Sequence, residues 1–185
     1  MEPVPDVVVL LDEDARPIGT APRAEVHDAR TPLHLAFSCY LFDRSGRLLL
    51  TRRAITKRTW PGVWTNSFCG HPRPSEPMVE AIERYGRHEL GVDVSDIRPA
   101  LPDFRYRAVD ASGVVENEVC PVFVARCTDD ADDIAANPDE VAEWRWVTAE
   151  ELRAAVDAAP WALSPWLLEQ HEQLSRLEDW PAGVR

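Results

Sequence analysis

The segment Ser75-Glu76-Pro77-Met78-Val79-Glu80-Ala81-Ile82-Glu83-Arg84-Tyr85-Gly86-Arg87-His88-Glu89-Leu90-Gly91 carries the marks of one amphipathic helix over Glu76–Leu90. Ser75 can cap it, Pro77 falls in the first turn where a missing N–H is tolerated, and Gly91 suits the left-handed residue that ends a helix. At about 100° per residue, Glu76, Glu80, Glu83, Arg84, Arg87 and His88 share one face, and Met78, Val79, Ala81, Ile82, Tyr85 and Gly86 the other. Glu89 breaks the pattern by falling in the apolar group. An unpaired buried charge is expensive, so Glu89 either snorkels out from the helix end or meets a cation.

Around this helix, Gly and Pro punctuation cuts the chain into short strands. Val7–Leu11 reads as a strand followed by a polar turn over Asp12–Gly19. Leu33–Phe42 and Arg47–Thr51 are apolar runs joined by the hairpin signal Asp43-Arg44-Ser45-Gly46. Further strands are expected at Trp64–His71 and Val141–Val147, with a long hairpin, Asp103–Asp110 and Val114–Cys127, across Ala111-Ser112-Gly113. Asp129–Asp139 reads as a solvated acidic loop, and Ala149–Ala158 and Ser164–Glu178 as closing helices. Hairpins interleaved with a few helices predict an α/β (α+β) fold, a mixed β-sheet sandwiched between helices, in a single domain over residues 1–185.

With 185 residues, 45% hydrophobic and 28% charged, the chain can bury a core without a disulfide or metal staple. Twenty basic against 32 acidic residues leave a net charge of −12, which disfavours a nucleic-acid partner. No apolar run approaches a membrane span and no basic leader precedes Val7–Leu11, so a cytoplasmic protein without membrane partners is expected. Cys39, Cys69, Cys120 and Cys127 form no CxxC pair and read as free thiols.

Several residues stand out chemically. Along the strand ending at Cys127, Glu116, Glu118, Cys120, Val122 and Val124 share a face by alternation. Two carboxylates about 7 Å apart, on a side that turns apolar, call for a divalent cation or a shared proton; the alternative is an edge strand with solvated carboxylates. His27, His34 and His71 could complete a mixed N/O ligand set, though each alone reads as a surface or core histidine. Arg52, Arg53, Lys57 and Arg58 form a basic cluster on an acidic chain, and Lys57 is its only lysine. Such a cluster suits a small anion such as a diphosphate, or is simply a solvated face.

Thr65-Asn66-Ser67-Phe68-Cys69-Gly70-His71-Pro72 resembles the TNS-x-C-GHP motif of the type I isopentenyl-diphosphate isomerase family. His34-Leu35-Ala36-Phe37-Ser38, Thr51-Arg52-Arg53-Ala54, Trp60-Pro61-Gly62-Val63-Trp64, Asp103-Phe104-Arg105-Tyr106-Arg107, Glu116-Asn117-Glu118-Val119-Cys120 and Pro160-Trp161-Ala162-Leu163-Ser164-Pro165-Trp166 resemble its other signatures, in the family's order. The family belongs to the Nudix superfamily, which implies a Nudix-like core over about residues 30–150. Gly70, Glu76, Arg84, Glu89, Gly91 and Val92 keep the spacing of the Nudix box, whereas Tyr85, Gly86 and His88 replace its Glu, aliphatic and Glu. Losing two box carboxylates argues against pyrophosphate hydrolysis, the alternative activity. Tyr85 also stands in place of a basic residue that could contact the diphosphate.

The resemblance implies isomerisation of isopentenyl diphosphate to dimethylallyl diphosphate, by protonating an unactivated alkene and removing a proton elsewhere. By the same resemblance Cys69 is one proton-transfer group, and Glu118, assisted by Tyr106, the other. His27, His34, His71, Glu116 and Glu118 would hold an inner Mn²⁺, Zn²⁺ or Mg²⁺. Glu89, with the Cys69 carbonyl, would hold a Mg²⁺ that bridges to the substrate, and Arg53, Lys57 and Arg23 would clamp the diphosphate beside His71. The indole of Trp161 would stabilise a tertiary cation. A monomer or weak homodimer is expected. A structural metal module without activity is the rival from outside enzymology.

Overall fold

The computed structural model describes residues 6–128, 133–178 and 180–181. Twelve strands are described, β1 Val7–Leu11, β2 Pro17–Pro22, β3 His34–Leu35, β4 Phe37–Phe42, β5 Leu48–Arg53, β6 Trp64–Thr65, β7 Phe68–Gly70, β8 Val94–Leu101, β9 Arg105–Val109, β10 Val115–Val119, β11 Val122–Cys127 and β12 Val141–Val147. The helices are α1 Arg23–Val26, α2 Met78–Tyr85, α3 Ala149–Ala158 and α4 Pro165–Leu174; a π-helical turn, Gly86–Leu90, prolongs α2. Among the described residues no helix is long and apolar enough to cross a membrane.

One sheet runs β2-β1-β3-β10-β9 and the other β12-β5-β4-β11-β8, with β6 paired to β5 and β7 to β4. Both are mixed: β3 with β10 and β4 with β11 are parallel, and the remaining pairs antiparallel. The chain passes from the first sheet to the second twice, at Ala36 and at Cys120-Pro121. The two crossings are tied together, since Ala36 N donates to Val119 O (2.9 Å) and Ser38 N to Pro121 O (3.1 Å). Val114–Cys127, expected as one strand, is therefore two strands in different sheets. Pro121 has no N–H for a ladder and sits where the chain bends.

All six residues of β4 are buried, the pattern of a strand covered on both faces. Tyr40 and Phe42 pack in a cluster with Trp166, Leu167 and Leu174 of α4 and Leu152 of α3. Phe37, Cys39 and Leu41 pack with Ala81, Ile82 and Tyr85 of α2. The second sheet is thus sandwiched between helices, as expected.

The deciding helix departs from its sequence reading at both ends. It begins at Met78, with Pro77 rather than Ser75 in the capping position, and Ser75 sits at φ +63°. The preceding loop is tied instead by Glu76, which accepts from Arg73 N (2.7 Å) and from both Arg84 Nε (2.8 Å) and Nη2 (2.7 Å). Val79, expected on the apolar face, is exposed, whereas Glu89 is buried inside the π-helical turn. Trp64–His71 is two short strands, and β2 replaces the second half of the expected turn over Asp12–Gly19. Strand β8 had no apolar alternation to announce it. It lies at a sheet edge and carries Asp96, Arg98 and Pro99, which an edge tolerates. Residues 129–132 of the expected acidic loop lie outside the described residues.

Gly91 occupies the left-handed region at φ +67°, and a Cβ there would lie 2.8 Å from both the Cβ and the carbonyl oxygen of Ala135. Strain and collision act together, so Gly91→Ala should cost about 2 kcal/mol or more of unfolding free energy, read from the urea midpoint. A midpoint equal to that of the parent would contradict this packing.

Candidate active site

A cavity of about 320 Å³ opens between the two sheets' crossing strands and the end of α2, and its walls include Cys69, Tyr106, Glu116, Glu118 and Glu89. Register places its deepest groups. Glu118 of β10 faces His34 in the parallel pair with β3 and Tyr106 in the antiparallel pair with β9. The third segment is the strand β7, which pairs Cys69 with Ser38 and leads directly to His71.

His27, His34, His71 and Glu118 each offer a ligand atom, and these atoms all lie within 4.8 Å of one another. Glu118 Oε1 is 3.3 Å from His71 Nε2 and 3.5 Å from His34 Nε2, and Glu116 Oε2 is 3.1 Å from His27 Nε2. His27 Nε2, His34 Nε2 and Glu116 Oε2 are buried without a hydrogen-bond partner despite these distances. The His27 and His34 nitrogens belong to the group of four ligand atoms that lie close together, an arrangement that a divalent cation would satisfy; Glu116, expected as a fifth ligand, lies outside that group and meets it only through His27. Outer contacts fix the set. His34 Nδ1 lies 2.9 Å from the Pro32 carbonyl, which can only accept, so the proton is on Nδ1 and the Nε2 lone pair faces inward. Thr59 Oγ1 donates to Glu116 Oε1 at 2.7 Å. Burial alone would raise the Glu118 carboxyl, but the close imidazoles of His34 and His71 hold it well below the usual carboxylate range.

Cys69 is pushed up to about 11 by burial, against hydrogen bonds to Ser38 and Asn66 that act the other way, and is therefore a neutral thiol at pH 7. Burial also raises Tyr106, reinforced by Glu118. Glu89 is raised by burial, and Lys57, Arg53 and Arg23 offset part of that effect. The same three cations line the cavity. Arg23 Nε donates to both carboxylate oxygens of Asp6 (3.0 and 2.9 Å), Arg53 donates to the Thr59 carbonyl and lies 5.3 Å from the Trp166 ring centre, and Lys57 is paired with Glu140.

Every sequence-derived site residue named above lies at the cavity or in the histidine cluster except Trp161 and Arg52, and Arg52 instead donates to the Gly62 carbonyl and pairs with Glu143. The Trp161 side chain is 84% exposed and contributes nothing to the cavity wall. Trp166 lines the cavity instead, held by Nε1 donating to Asn66 Oδ1 (3.0 Å). The Trp161 turn is nonetheless anchored beside the site, because Ser164 N donates to Trp64 O at 2.9 Å. Sequence reasoning missed Thr59, Trp166 and Glu140. Trp166 stood in a quoted motif, whereas Thr59 and Glu140 carry no signal of their own in spacing or composition.

A family model described as the NUDIX domain matches residues 32–167. A solved protein of Deinococcus radiodurans superimposes with a TM-score of 0.69 at 23% identity, over 90% of this chain and 98% of its own. A MutT NUDIX hydrolase of Burkholderia pseudomallei gives 0.56 at 23%, over 76% and 97%. These likenesses define the fold class. Curated relatives named isopentenyl-diphosphate Delta-isomerase match far more closely in sequence: that of Frankia alni is 63% identical over 90% of this chain and 84% of its own length. That of Leifsonia xyli is 56% identical over 99% of both. The chain belongs to the NUDIX domain family and, within it, to the isopentenyl-diphosphate Delta-isomerase family.

Removing divalent cations with a chelator should lower Tm, and adding Mn²⁺ or Zn²⁺ back should restore it in a concentration-dependent way. His27→Ala, which deletes one of the orphaned nitrogens, should weaken Mn²⁺ or Zn²⁺ binding at least about tenfold by calorimetry. An unchanged affinity would mean that the cluster is not a metal site.

Proposed function

We propose that this cavity isomerises isopentenyl diphosphate to dimethylallyl diphosphate, using Cys69 and Glu118 to move protons at carbon. The observation that carries the reading is a neutral thiol, a buried carboxylate and a set of cationic side chains, Arg23, Arg53, Lys57 and Arg58, on the walls of one cavity. An unactivated alkene needs an acid delivered in a dry site and a base to take up the second proton, or the cation is lost to water. One proton is added at the terminal alkene carbon, leaving the positive charge on the branched carbon, and another leaves the methylene next to that carbon on the diphosphate side, whose C–H pair becomes the new double bond, so the exchange is neutral overall. Tyr106, stacked beside Phe104 and facing Glu118 in register, assists the carboxylate.

His27, His34, His71, Glu116 and Glu118 would hold the inner metal, as Mn²⁺, Zn²⁺ or Mg²⁺. Glu89 would hold Mg²⁺ with the substrate, with help from the Cys69 carbonyl. Bound there, a divalent cation supplies charge that lowers the proton affinity of Glu118 and neutralises the diphosphate. Arg23, Arg53 and Lys57 clamp the diphosphate by exchanging their present partners for its oxygens, and His71 borders the same pocket. Hydrolysis is not favoured, because Glu76 is consumed by the Arg84 fork and Glu80 and Glu83 line the outer surface of the helix.

Labelled isopentenyl diphosphate and Mg²⁺ should yield acid-labile allylic product. Cys69→Ser should lose about 10²-fold or more of kcat, the usual contribution of a general acid or base. Glu116→Gln should recover with excess metal and Glu118→Gln should not, since only Glu118 is asked to move a proton. Release of inorganic phosphate without allylic product would instead establish the hydrolase.

Trp161 stays in this proposal as a residue that reaches the cation only when its turn, Pro160–Ala162, folds over the filled cavity. Trp161→Leu should then lose at least about tenfold more kcat than Trp161→Phe. Equal rates for the two variants would leave the aromatic wall to Trp166 and Tyr106.

A further inference from the structure

Behind Cys69 lies a chain of buried polar groups that the proposed mechanism does not use. Tyr40 Oη donates to Gln170 Oε1 (2.9 Å), Gln170 Nε2 donates to Ser38 Oγ (2.8 Å), and Ser38 Oγ lies 3.3 Å from Cys69 Sγ. Tyr40, Gln170 and Ser38 are fully buried, and β4 and α4 supply all three.

The other neighbour of the sulfur is Asn66, and its orientation is fixed. Asn66 Nδ2 donates to the carbonyls of Cys39 (3.1 Å) and Phe68 (2.9 Å), which can only accept. Asn66 Oδ1 therefore faces Thr65 Oγ1 (2.9 Å), Trp166 Nε1 (3.0 Å) and Cys69 Sγ (3.4 Å). A carbonyl oxygen can receive the thiol proton and can offer nothing to a sulfur that has lost it. Ser38 is the complement. Gln170 occupies an acceptor position on its oxygen, leaving the hydroxyl proton free for a sulfur, and two are within reach, Cys69 and Cys120 (3.4 Å). A donor already polarised by two upstream hydrogen bonds is a stronger one.

We propose that Ser38 is a further catalytic residue: its hydroxyl donates to the Cys69 sulfur while the proton is on the substrate carbon, aimed there by Gln170 and Tyr40. The proposal rests on the reading of Cys69 as a proton-transfer group. In the step the Cys69 S–H bond and a substrate C–H bond exchange one proton, and the electron pair stays on sulfur when the proton is away. Ser38 keeps its own proton throughout and only turns its hydrogen bond from Cys120 to Cys69. A structural hydroxyl would satisfy this corner equally well with either sulfur as partner; a catalytic one makes its best bond only when Cys69 is bare.

The test is the rate of Ser38→Ala and Ser38→Thr with isopentenyl diphosphate in the metal-loaded enzyme. Ser38→Ala should lose about tenfold or more of kcat with KM within about twofold, the loss expected for a hydrogen bond to a charged group. Ser38→Thr, which keeps the hydroxyl, should stay within about threefold of the parent in kcat. Gln170→Leu, which removes the aiming donor without emptying the Ser38 site, should fall between the two, and it replaces Ser38→Ala if that variant does not fold. A kcat for Ser38→Ala or Gln170→Leu equal to the parent's, or Ser38→Thr as slow as Ser38→Ala, overturns the proposal. Cys69→Ala in the same assay separates the two readings. If it turns over like the parent, the role of Cys69 fails and that of Ser38 with it. If it is inactive while Ser38→Ala is unimpaired, only the role of Ser38 fails.

Discussion

Two carboxylates buried at a sheet crossing, Glu116 and Glu118, are the constraint on which the site depends. Removing two negative charges from water costs several kcal/mol each unless cations or donors meet them. The fold meets them from three separate segments: His27 after α1, His34 on β3 and His71 after β7. Only the parallel pairing of β3 with β10, carried through the crossing by Ala36 and Ser38 N–H groups, holds His34 opposite Glu118. The crossing that looks like an irregularity of the sheet is therefore what aligns the ligands. Two of the four converging atoms, His27 Nε2 and His34 Nε2, lack hydrogen-bond partners, which a divalent cation would supply.

Charge in the adjoining half of the cavity is arranged on the opposite principle. The chain is strongly acidic, yet Arg23, Arg53 and Lys57 converge beside Glu89, and each is already satisfied by Asp6, by Thr59 and Trp166, or by Glu140. On the proposed reading a diphosphate entering here would exchange one set of partners for another, so that none of these three cations would stand bare in a poorly solvated wall. The binding energy is reduced by what those partners give up, but the side chains are held near the positions they must occupy, which lowers the ordering cost.

What the sequence showed and what it hid follow from sequence separation. Glu89 announced itself because helical periodicity is local, and a carboxylate among Met78, Ile82 and Tyr85 breaks it. Glu116 and Glu118 did so by strand alternation, although the shared face expected to run on to Val124 ends at Pro121, where the chain changes sheet. Edge strands β2 and β8 were illegible because an edge needs no continuous apolar face and accepts proline. The pairs that finish the site, Glu116 with Thr59 and Ser38 with Gln170, join residues 57 and 132 positions apart, and no local pattern specifies them. Trp161 and Trp166 were indistinguishable as neighbours in one motif; a helical turn, with Ser164 as its cap, sends the second inward and leaves the first in solvent.

The degenerate Nudix box makes physical sense once its residues are sorted by what they touch. Gly70 must be glycine, because any Cβ would lie 2.5 Å from the Tyr85 ring, and that close contact sets β7 against α2. Arg84 grips Glu76 with two hydrogen bonds, donates to the His71 carbonyl (3.2 Å) and lies 4.7 Å from the Tyr85 ring centre. Glu76 in turn ties down Arg73, so the loop carrying His71 is bound at both ends. The box spacing here thus positions one imidazole and the cysteine before it, while of the box residues Glu89 keeps a carboxylate turned toward the cavity. Proton transfer at carbon needs that kind of support: a donor and acceptor held within fractions of an ångström, with water kept from the reacting carbons. A helix with a second or third inward carboxylate would bring more cations and more water to the same wall, and so favour attack on phosphorus over rearrangement of the alkene.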